Sequence, residues 1–419
     1  MRPPAYPPTV FVLGTSRNIG KTVTCIGIIA KLTAPESGYT VDDIGYIKPV
    51  GQQTLTVLSG EGVPIEADKD AVLITSLMNI QCHGYEKTSP VVWRGGLTSK
   101  YIEEAAQGDP LEGRQEFLER IREAYEQVAL GKKIVIVEGT GQPGVGSVAG
   151  ISNADVINTL REMGVPLFAI LVTRAGIGST IDEVFPYLMA LDHLGTRIDG
   201  LIINAVIPSK MHKVRHYLET YYTQVFQSLY GRYLKVQTPP QILGFVPEIP
   251  ELELPTMRLI VEYFAKKPES AMEIIAPEDF TGACRLVRNL KVISLEFGYE
   301  PFLEPGDAVI VGVNANDVIL AVLLIHERLL RKHGQGLAGL ILSCKQVGEV
   351  SPQIRELLLA GDLPTITLNY DSADIVQRIE SMTVKIQPYD VGKRELISRV
   401  YRRHLTLWPE LQPASQGSV

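Results

Sequence analysis

The stretch that most constrains this chain lies near its start, Val10 to Thr22, VFVLGTSRNIGKT. Val10–Leu13 is an apolar run suited to a buried strand. Lys21-Thr22 opens an apolar-periodic segment (Val23, Ile26, Ile28, Ile29, Leu32) that reads as a helix. A strand, a glycine-bounded loop, GKT and a helix make a phosphate-binding P-loop. In such a loop backbone N–H groups and the helix N-terminus cradle phosphates, the lysine reaches the β/γ oxygens and the threonine hydroxyl joins Mg²⁺. The residues assigned to phosphate are Gly14, Thr15, Ser16, Arg17, Asn18, Ile19, Gly20, Lys21, Thr22 and Val23. The usual spacing, G-x-x-x-x-G-K-[ST], wants glycine six residues before the lysine. Thr15 stands there, and the glycine comes one residue earlier, at Gly14.

Other strand ends carry charge in the positions such a loop demands. IGYIKPVG (Ile44–Gly51) reads as a short strand ending at Lys48, on the ligand side of an open α/β sheet or else on the surface. EADKD (66–70) precedes a helical pattern, so an aspartate there suits a helix cap or the second sphere of Mg²⁺. KIVIVEGTGQPGVG (133–146) is a buried strand closed by Glu138 and followed by glycines. That is where a carboxylate polarising a Mg²⁺-bound water belongs. LFAILVT (167–173) and LIINA (201–205) are further buried strands alternating with helices at 154–163 and 181–194. The rhythm predicts an α/β fold, a doubly wound, mostly parallel P-loop sheet with right-handed crossovers. Ligands collect at the carboxyl ends of such strands, where Lys48, Glu138, Thr173-Arg174 and Asn204 fall.

The 80–100 stretch lacks periodicity and suits a substrate-facing loop or an ordinary connection. His212 and His216 have i, i+4 spacing but no third ligand nearby in sequence, so a surface or nucleotide-adjacent role is expected rather than zinc. Beyond ILGFVPEIPEL (242–252), residues 251–285 read as a linker. A second, smaller α/β domain follows over 286–408, and a polar tail, expected to be disordered, over 409–419. The first domain spans 9–250.

Composition bounds the partners. A chain of 419 residues with 45% hydrophobic and 21% charged residues can build more than one core. The net charge of −7 argues against nucleic acid. Cys25, Cys82, Cys284 and Cys344 show no CxxC, which suits a reducing cytoplasm. MRPPAYPP has no signal-peptide core, and the apolar run 309–325 is broken by Asn314, Asn316 and Asp317, so no membrane span is expected.

Six motifs in order make residues 9–250 resemble dethiobiotin synthetase and its relatives, among them the amidotransferase-type cobyrinic acid synthetases and the N-terminal domain of some phosphotransacetylases. GTSRNIGKT matches the family loop, including its early glycine. Lys48-Pro49-Val50, Asp70 in DKDA, Glu138 in EGTGQPG, Asn204 in INAVIP and the segment Gly244–Pro247 match the others. The resemblance implies ATP and Mg²⁺ as cofactors. Lys21 and the loop would bind the triphosphate, and Thr22, Asp70 and Glu138 the metal. Asn204 and the Pro247 region would hold adenine. Lys21 and Lys48 would be catalytic, with Lys48 stabilising an anionic acceptor or the phosphoryl group in flight. It further implies a small carboxylate or carbamate acceptor, a ligase-type reaction through an acyl phosphate, and a homodimer.

Ser16 stands in place of the family's loop aspartate, and KPVGQQT in place of its KPVASG-like run, which sets the chain apart from biotin synthesis. PGDAVIVGVNANDVILAVLL, GLAGLILS and LPTITLNYDSADIVQRI resemble the DRTGG domain that follows the synthetase-like domain in those phosphotransacetylases, although VGVNAND replaces the DRTGG letters. A non-catalytic ATP-binding sensor, related to the N-terminal half of phosphotransacetylase, is the alternative to an enzyme. A ParA-like ATPase is disfavoured because Ser16 occupies the place of that family's extra loop lysine.

Overall fold

The computed structural model describes residues 6–82, 84–93, 96–275, 284–293 and 302–411. In chain order the elements are β1 (Thr9–Gly14), α1 (Lys21–Leu32), β2 (Ile44–Ile47), β3 (Val50–Gly51), β4 (Thr54–Leu58), β5 (Pro64–Asp68), α2 (Lys69–Leu77), α3 (Tyr85–Thr88), β6 (Val91–Val92), α4 (Leu97–Gln107) and α5 (Pro110–Ala129). Next come β7 (Ile134–Glu138), α6 (Asn153–Glu162), β8 (Leu167–Arg174), α7 (Gly178–His193), β9 (Gly200–Val206), α8 (Met211–Thr220), α9 (Phe226–Tyr230), β10 (Gln241–Pro247) and α10 (Met257–Ala265). The remainder is β11 (Glu273–Ile275), β12 (Asn289–Val292), β13 (Asp307–Gly312), α11 (Asn316–His333), β14 (Gly339–Ser343), α12 (Pro352–Ala360), β15 (Thr365–Thr367), α13 (Ser372–Glu380) and α14 (Val391–His404).

These form two compact units. The first holds a six-stranded sheet in the order β10-β9-β8-β1-β7-β2, every neighbouring pair parallel. β1 and β7 are buried along their whole length, which is why TVFVLG and IVIVE read as unbroken apolar runs rather than alternations. Helix starts follow local chemistry. Asp109 caps α5 ahead of Pro110, and Ser152 with Asp155 forms a capping box on α6. β1 has β7 on one side and β8 on the other, so the loop after it opens at the point where strand order reverses, the crevice that α/β sheets use for ligands.

The sequence expectation for the chain's end is corrected. Residues 390–411 fold with the first unit, not with 286–408. Tyr401 of α14, fully buried, lies on Gly27 of α1, where an added Cβ would stand 2.1 Å from the ring. Its hydroxyl is 3.0 Å from Thr24 Oγ1. Lys31 Nζ donates to Arg402 O (2.9 Å), and Arg402 Nε donates to Ala30 O (3.1 Å). Past the helix, Thr406 N–H donates to Leu243 O (2.7 Å), and Trp408 packs on Phe168 with ring centroids 5.2 Å apart. Periodicity marks α14 as amphipathic but cannot say which surface its apolar face covers. Within 409–419, Pro409–Leu411 forms one 3-10 turn with Leu411 buried; residues 412–419 lie outside the described residues.

The second unit is Ile249–Tyr389, a five-stranded sheet in the order β11-β15-β14-β13-β12. β12 to β15 are parallel, and β11 joins β15 antiparallel. The expected linker is corrected as well: Met257, Ile260 and Phe264 of α10 are fully buried in a cluster with Ile310, Ile341 and Ile366. The cost of exposing that apolar face makes the segment part of a core. On the sheet's other face His326 of α11 is buried; Leu337 N–H donates to its Nδ1 (3.0 Å), and Nε2 lies 2.6 Å from Asp362 Oδ1. Burial holds this imidazole below its ordinary value of 6.5, against the pull of Asp362. A native state that keeps His326 neutral binds fewer protons than the unfolded chain once the pH drops below that value. Stability is therefore lost as pH falls. Thermal unfolding of the full chain between about pH 7.5 and pH 5 should show the decline, and it should be shallower in His326→Gln.

Candidate functional site

The loop between β1 and α1 is shaped by two glycines. Gly20 caps α1 at φ 99°, a left-handed backbone conformation that glycine adopts freely. A Cβ on Gly14 would lie 2.5 Å from Ile19 Cγ2 and 3.0 Å from Lys21 Cγ, so the loop folds back directly over that residue. This explains the early glycine. Thr15, in the position the usual motif gives to glycine, continues the sheet, with its N–H donating to Val172 O (3.0 Å) and its hydroxyl to Glu183 Oε2 (3.1 Å). Thr173 donates to the same Glu183 oxygen (3.1 Å). Ser16 supplies the carbonyl that accepts from Lys21 Nζ (3.1 Å). Arg17 and Asn18 are exposed at the loop's tip, Asn18 with φ 56°.

Beside the loop three strand ends (β2, β5 and β7) and two helix starts (α1 and α2) bring five charged groups together. Thr22 Oγ1 donates to Glu138 Oε1 (2.9 Å), and Tyr46 OH donates to Glu138 Oε2 (2.8 Å). Lys48 Nζ sits 3.4 Å from Glu138 Oε1 and 3.2 Å from Asp68 Oδ1, and it bonds Asp70. Side-chain exposure is 6% for Lys48, 2% for Asp68 and 1% for Glu138 but 25% for Asp70, so the cluster opens to solvent through Asp70. Burial opposes the charge on Lys48, but Glu138, Asp70 and Asp68 together hold its ammonium above the ordinary lysine value. Burial pushes Glu138 up, while Lys48 and the Tyr46 and Thr22 hydroxyls pull it back. Burial lowers Lys21, with Glu138 resisting.

The structure thus unites Lys21, Thr22, Lys48, Asp70 and Glu138. Of the acids in 66–70, the cap is Asp68: its Oδ1 accepts from Asp70 N–H (2.9 Å) and its Oδ2 from Gln52 N–H (2.8 Å). Asp70 is thereby released to face Lys48. Asn204 Nδ2 donates to Ile19 O (2.9 Å), tying β9 to the P-loop. Pro247 ends the edge strand β10, opposite Val206. His212 and His216 are exposed on α8. The 80–100 stretch holds α3, β6 and the start of α4, with positions 83, 94 and 95 outside the described residues.

Sequence reasoning missed Tyr46, Glu183 and Asn153. Asn153 clasps the turn after β7: its Oδ1 accepts from Thr140 N–H, and its Nδ2 donates to Thr140 O and Gln142 O, each at 3.0 Å. The helix read over 154–163 did not show that Asn153, at its start, would face the glycine-rich turn.

Among the described residues no set of three His, Cys, Asp or Glu side chains is arranged to hold a metal unaided. Thr22, Glu138 and Asp70 are nonetheless all hard oxygen donors, and Mg²⁺ is commonly held by one or two carboxylates, with phosphate oxygens and water completing its shell. The donor set fits that ion.

Residues 8–256 match the family model of the AAA domain AAA_26, more than half of the chain. The chain belongs to this family. Residues 289–382 match the DRTGG domain, so a dethiobiotin synthetase-like P-loop domain is followed by a DRTGG domain, as the motifs implied. ATP-dependent dethiobiotin synthetase BioD of Clostridium kluyveri is 25% identical over 198 residues, 46% of this chain and 73% of its own length. Phosphate acetyltransferase of Pseudomonas putida is 22% identical over 409 residues, 95% of this chain. The chain spans about half the length of that relative, 50%. The signal recognition particle receptor FtsY of Elizabethkingia anophelis, solved in complex with GDP, aligns over 47% of this chain and 48% of its own at 13% identity, with a TM-score of 0.25. The AAA_26 unit carries the parallel α/β sheet expected of a P-loop domain, and the second unit the smaller sheet. Among the described residues no helix is long and apolar enough to cross a membrane.

Proposed function

We propose that the AAA_26 unit binds ATP with Mg²⁺ and transfers the γ-phosphoryl group to a small carboxylate or carbamate, in a ligase-type reaction through an acyl phosphate. One observation carries this reading: Lys48, Asp70, Glu138 and Thr22 form one connected cluster beside the P-loop lysine. Phosphoryl transfer asks a protein mainly for positioning and for neutralisation of oxygen charge, and these groups supply both.

In this reading the loop N–H groups and Lys21 hold the β- and γ-phosphates. Thr22, Asp70 and Glu138 would hold Mg²⁺, which neutralises phosphate charge when bound. Lys48, positioned by Asp68, pairs with the acceptor oxygen as it attacks the γ-phosphorus, and ADP leaves. Tyr46 keeps Glu138 aimed at Thr22. Asn204 braces the loop and, with the Pro247 region, stands toward the base. A homodimer, a cytoplasmic setting and the absence of nucleic-acid and membrane partners belong to the same proposal. The sensor reading is favoured by one feature, the saturation of Lys48 by three carboxylates, which leaves it no free valence for an acceptor until one of them turns away.

ATP turnover against a panel of small carboxylates separates the two. Acceptor-stimulated ADP release that disappears in Lys21→Ala is expected. ATP binding with no acceptor-dependent release from any member would favour the sensor. In Lys21→Ala itself, nucleotide affinity measured by calorimetry should fall by roughly tenfold to a hundredfold, the effect of losing a charge-assisted contact to phosphate.

A further inference from the structure

At the opposite end of α1 from the P-loop lies a cavity of about 890 Å³ within the first unit, walled by α14 and by the ends of α1 and α2. Four arginines line it, Arg394, Arg399, Arg402 and Arg403, against a single carboxylate, Glu395. Two of the four brace the fold. Arg394 donates to Leu77 O (3.1 Å) and Arg402 to Ala30 O (3.1 Å), capping the carbonyl ends of α2 and α1. Arg399 and Arg403 play no such part. They are exposed, follow one another at i, i+4 on the same helix face, and have no ion-pair partner among the described residues. Arg394 and Arg402 likewise have no ion pair there, so four arginines line one concave space in which Glu395 is the one carboxylate. A guanidinium is a planar fork matched to phosphate and carboxylate oxygens, and the volume lies in the range used by small-molecule sites.

We propose that this cavity is a second ligand site, distinct from the P-loop, for a small molecule bearing two or more phosphate groups. The ligand would be gripped by Arg399 and Arg403, with Arg394 and Arg402 held in place behind them by their backbone acceptors. It would sit on the carbonyl end of the helix whose amino end forms the P-loop. The cavity and its charges carry this site independently of the ATP reading.

The test uses the full-length Lys21→Ala chain, in which phosphate binding at the P-loop is weakened, titrated with inorganic pyrophosphate and ADP, and with citrate as a polycarboxylate control. At least one phosphate probe should bind saturably at one site, with affinity that falls as salt is raised. Adding Arg399→Ala and Arg403→Ala should weaken it roughly tenfold to a hundredfold. The paired Arg399→Lys and Arg403→Lys changes should recover only part of the loss, because an ammonium lacks the fork. Melting curves of both combinations check folding, and exposed arginines should leave them unchanged. No saturable binding of either phosphate probe, equal binding with and without the two arginines, or tighter binding of citrate than of both phosphates would each overturn the proposal.

Discussion

Lys48→Met is expected to abolish the ATP turnover proposed above and to destabilise the first unit by about 3–5 kcal/mol, the cost of leaving a buried ion pair half-broken. The lysine faces Glu138, Asp68 and Asp70, and two of these carboxylates are almost wholly buried. Without the ammonium they repel one another where water cannot screen them. Denaturant titration of the variant should show a lower midpoint with an unchanged slope. The pH response gives the mechanism away. In the native chain Lys48 is held above the ordinary lysine value of 10.5, so its stabilisation is complete below that value and is lost only as pH rises through its folded-state value. In Lys48→Met the remaining carboxylates take up protons more readily, so lowering the pH from about 7 to 5 should recover part of the lost stability. Adding Glu138→Gln should also restore part of it, a non-additivity that groups in contact produce.

Ending the chain after Tyr389 is expected to leave the first unit unable to stay folded. The removed segment contributes Ile397, Tyr401, Leu405, Leu407 and Leu411, all buried. At roughly 2 kcal/mol for each such side chain the loss is on the order of 10 kcal/mol, comparable with the whole stability of an ordinary domain. It would also expose the face of α1 around Gly27, opposite the sheet. Aggregation on expression and loss of the cooperative melt would be the readouts. A milder version separates packing from gross truncation. Tyr401→Ala should cost about 3–5 kcal/mol by leaving a void over Gly27 while keeping the backbone path. A truncated chain that melted like the intact one would contradict the structural importance of α14.

How far the sequence could be read depended on whether the deciding information was local. β1, β7, β8 and β9 are legible because a strand buried on both faces must be apolar throughout. Lys48 and Glu138 are legible because a charge closing such a run has only the ligand edge of the sheet to occupy. Asp68 was harder to single out. Glu66, Asp68 and Asp70 crowd into five residues, and only the end of β5 decides which one caps the helix and which faces the lysine. Tyr46 reads as one more strand residue until Glu138 is placed across from it. Asn204 occupies its motif position, yet in the structure its amide holds the P-loop carbonyl of Ile19. The assignment of α14 failed for the same kind of reason. Its partner, α1, lies far back in the chain, as the Thr24–Tyr401 separation of 377 shows, and no local pattern encodes such a contact.

That long return of the chain governs the order in which the protein can be made. Synthesis completes the six strands of the first sheet by Pro247, but the helix that covers α1 does not exist until residues past Asp390 have been added. At roughly 5–20 residues per second, the intervening stretch occupies the ribosome for on the order of ten seconds. Throughout that interval the flank of the P-loop helix around Gly27 is bare apolar surface, waiting for its cover. The nascent chain passes through a stage in which its nucleotide-binding sheet is complete but unsealed, and sealing it waits until the whole of the second unit has been translated.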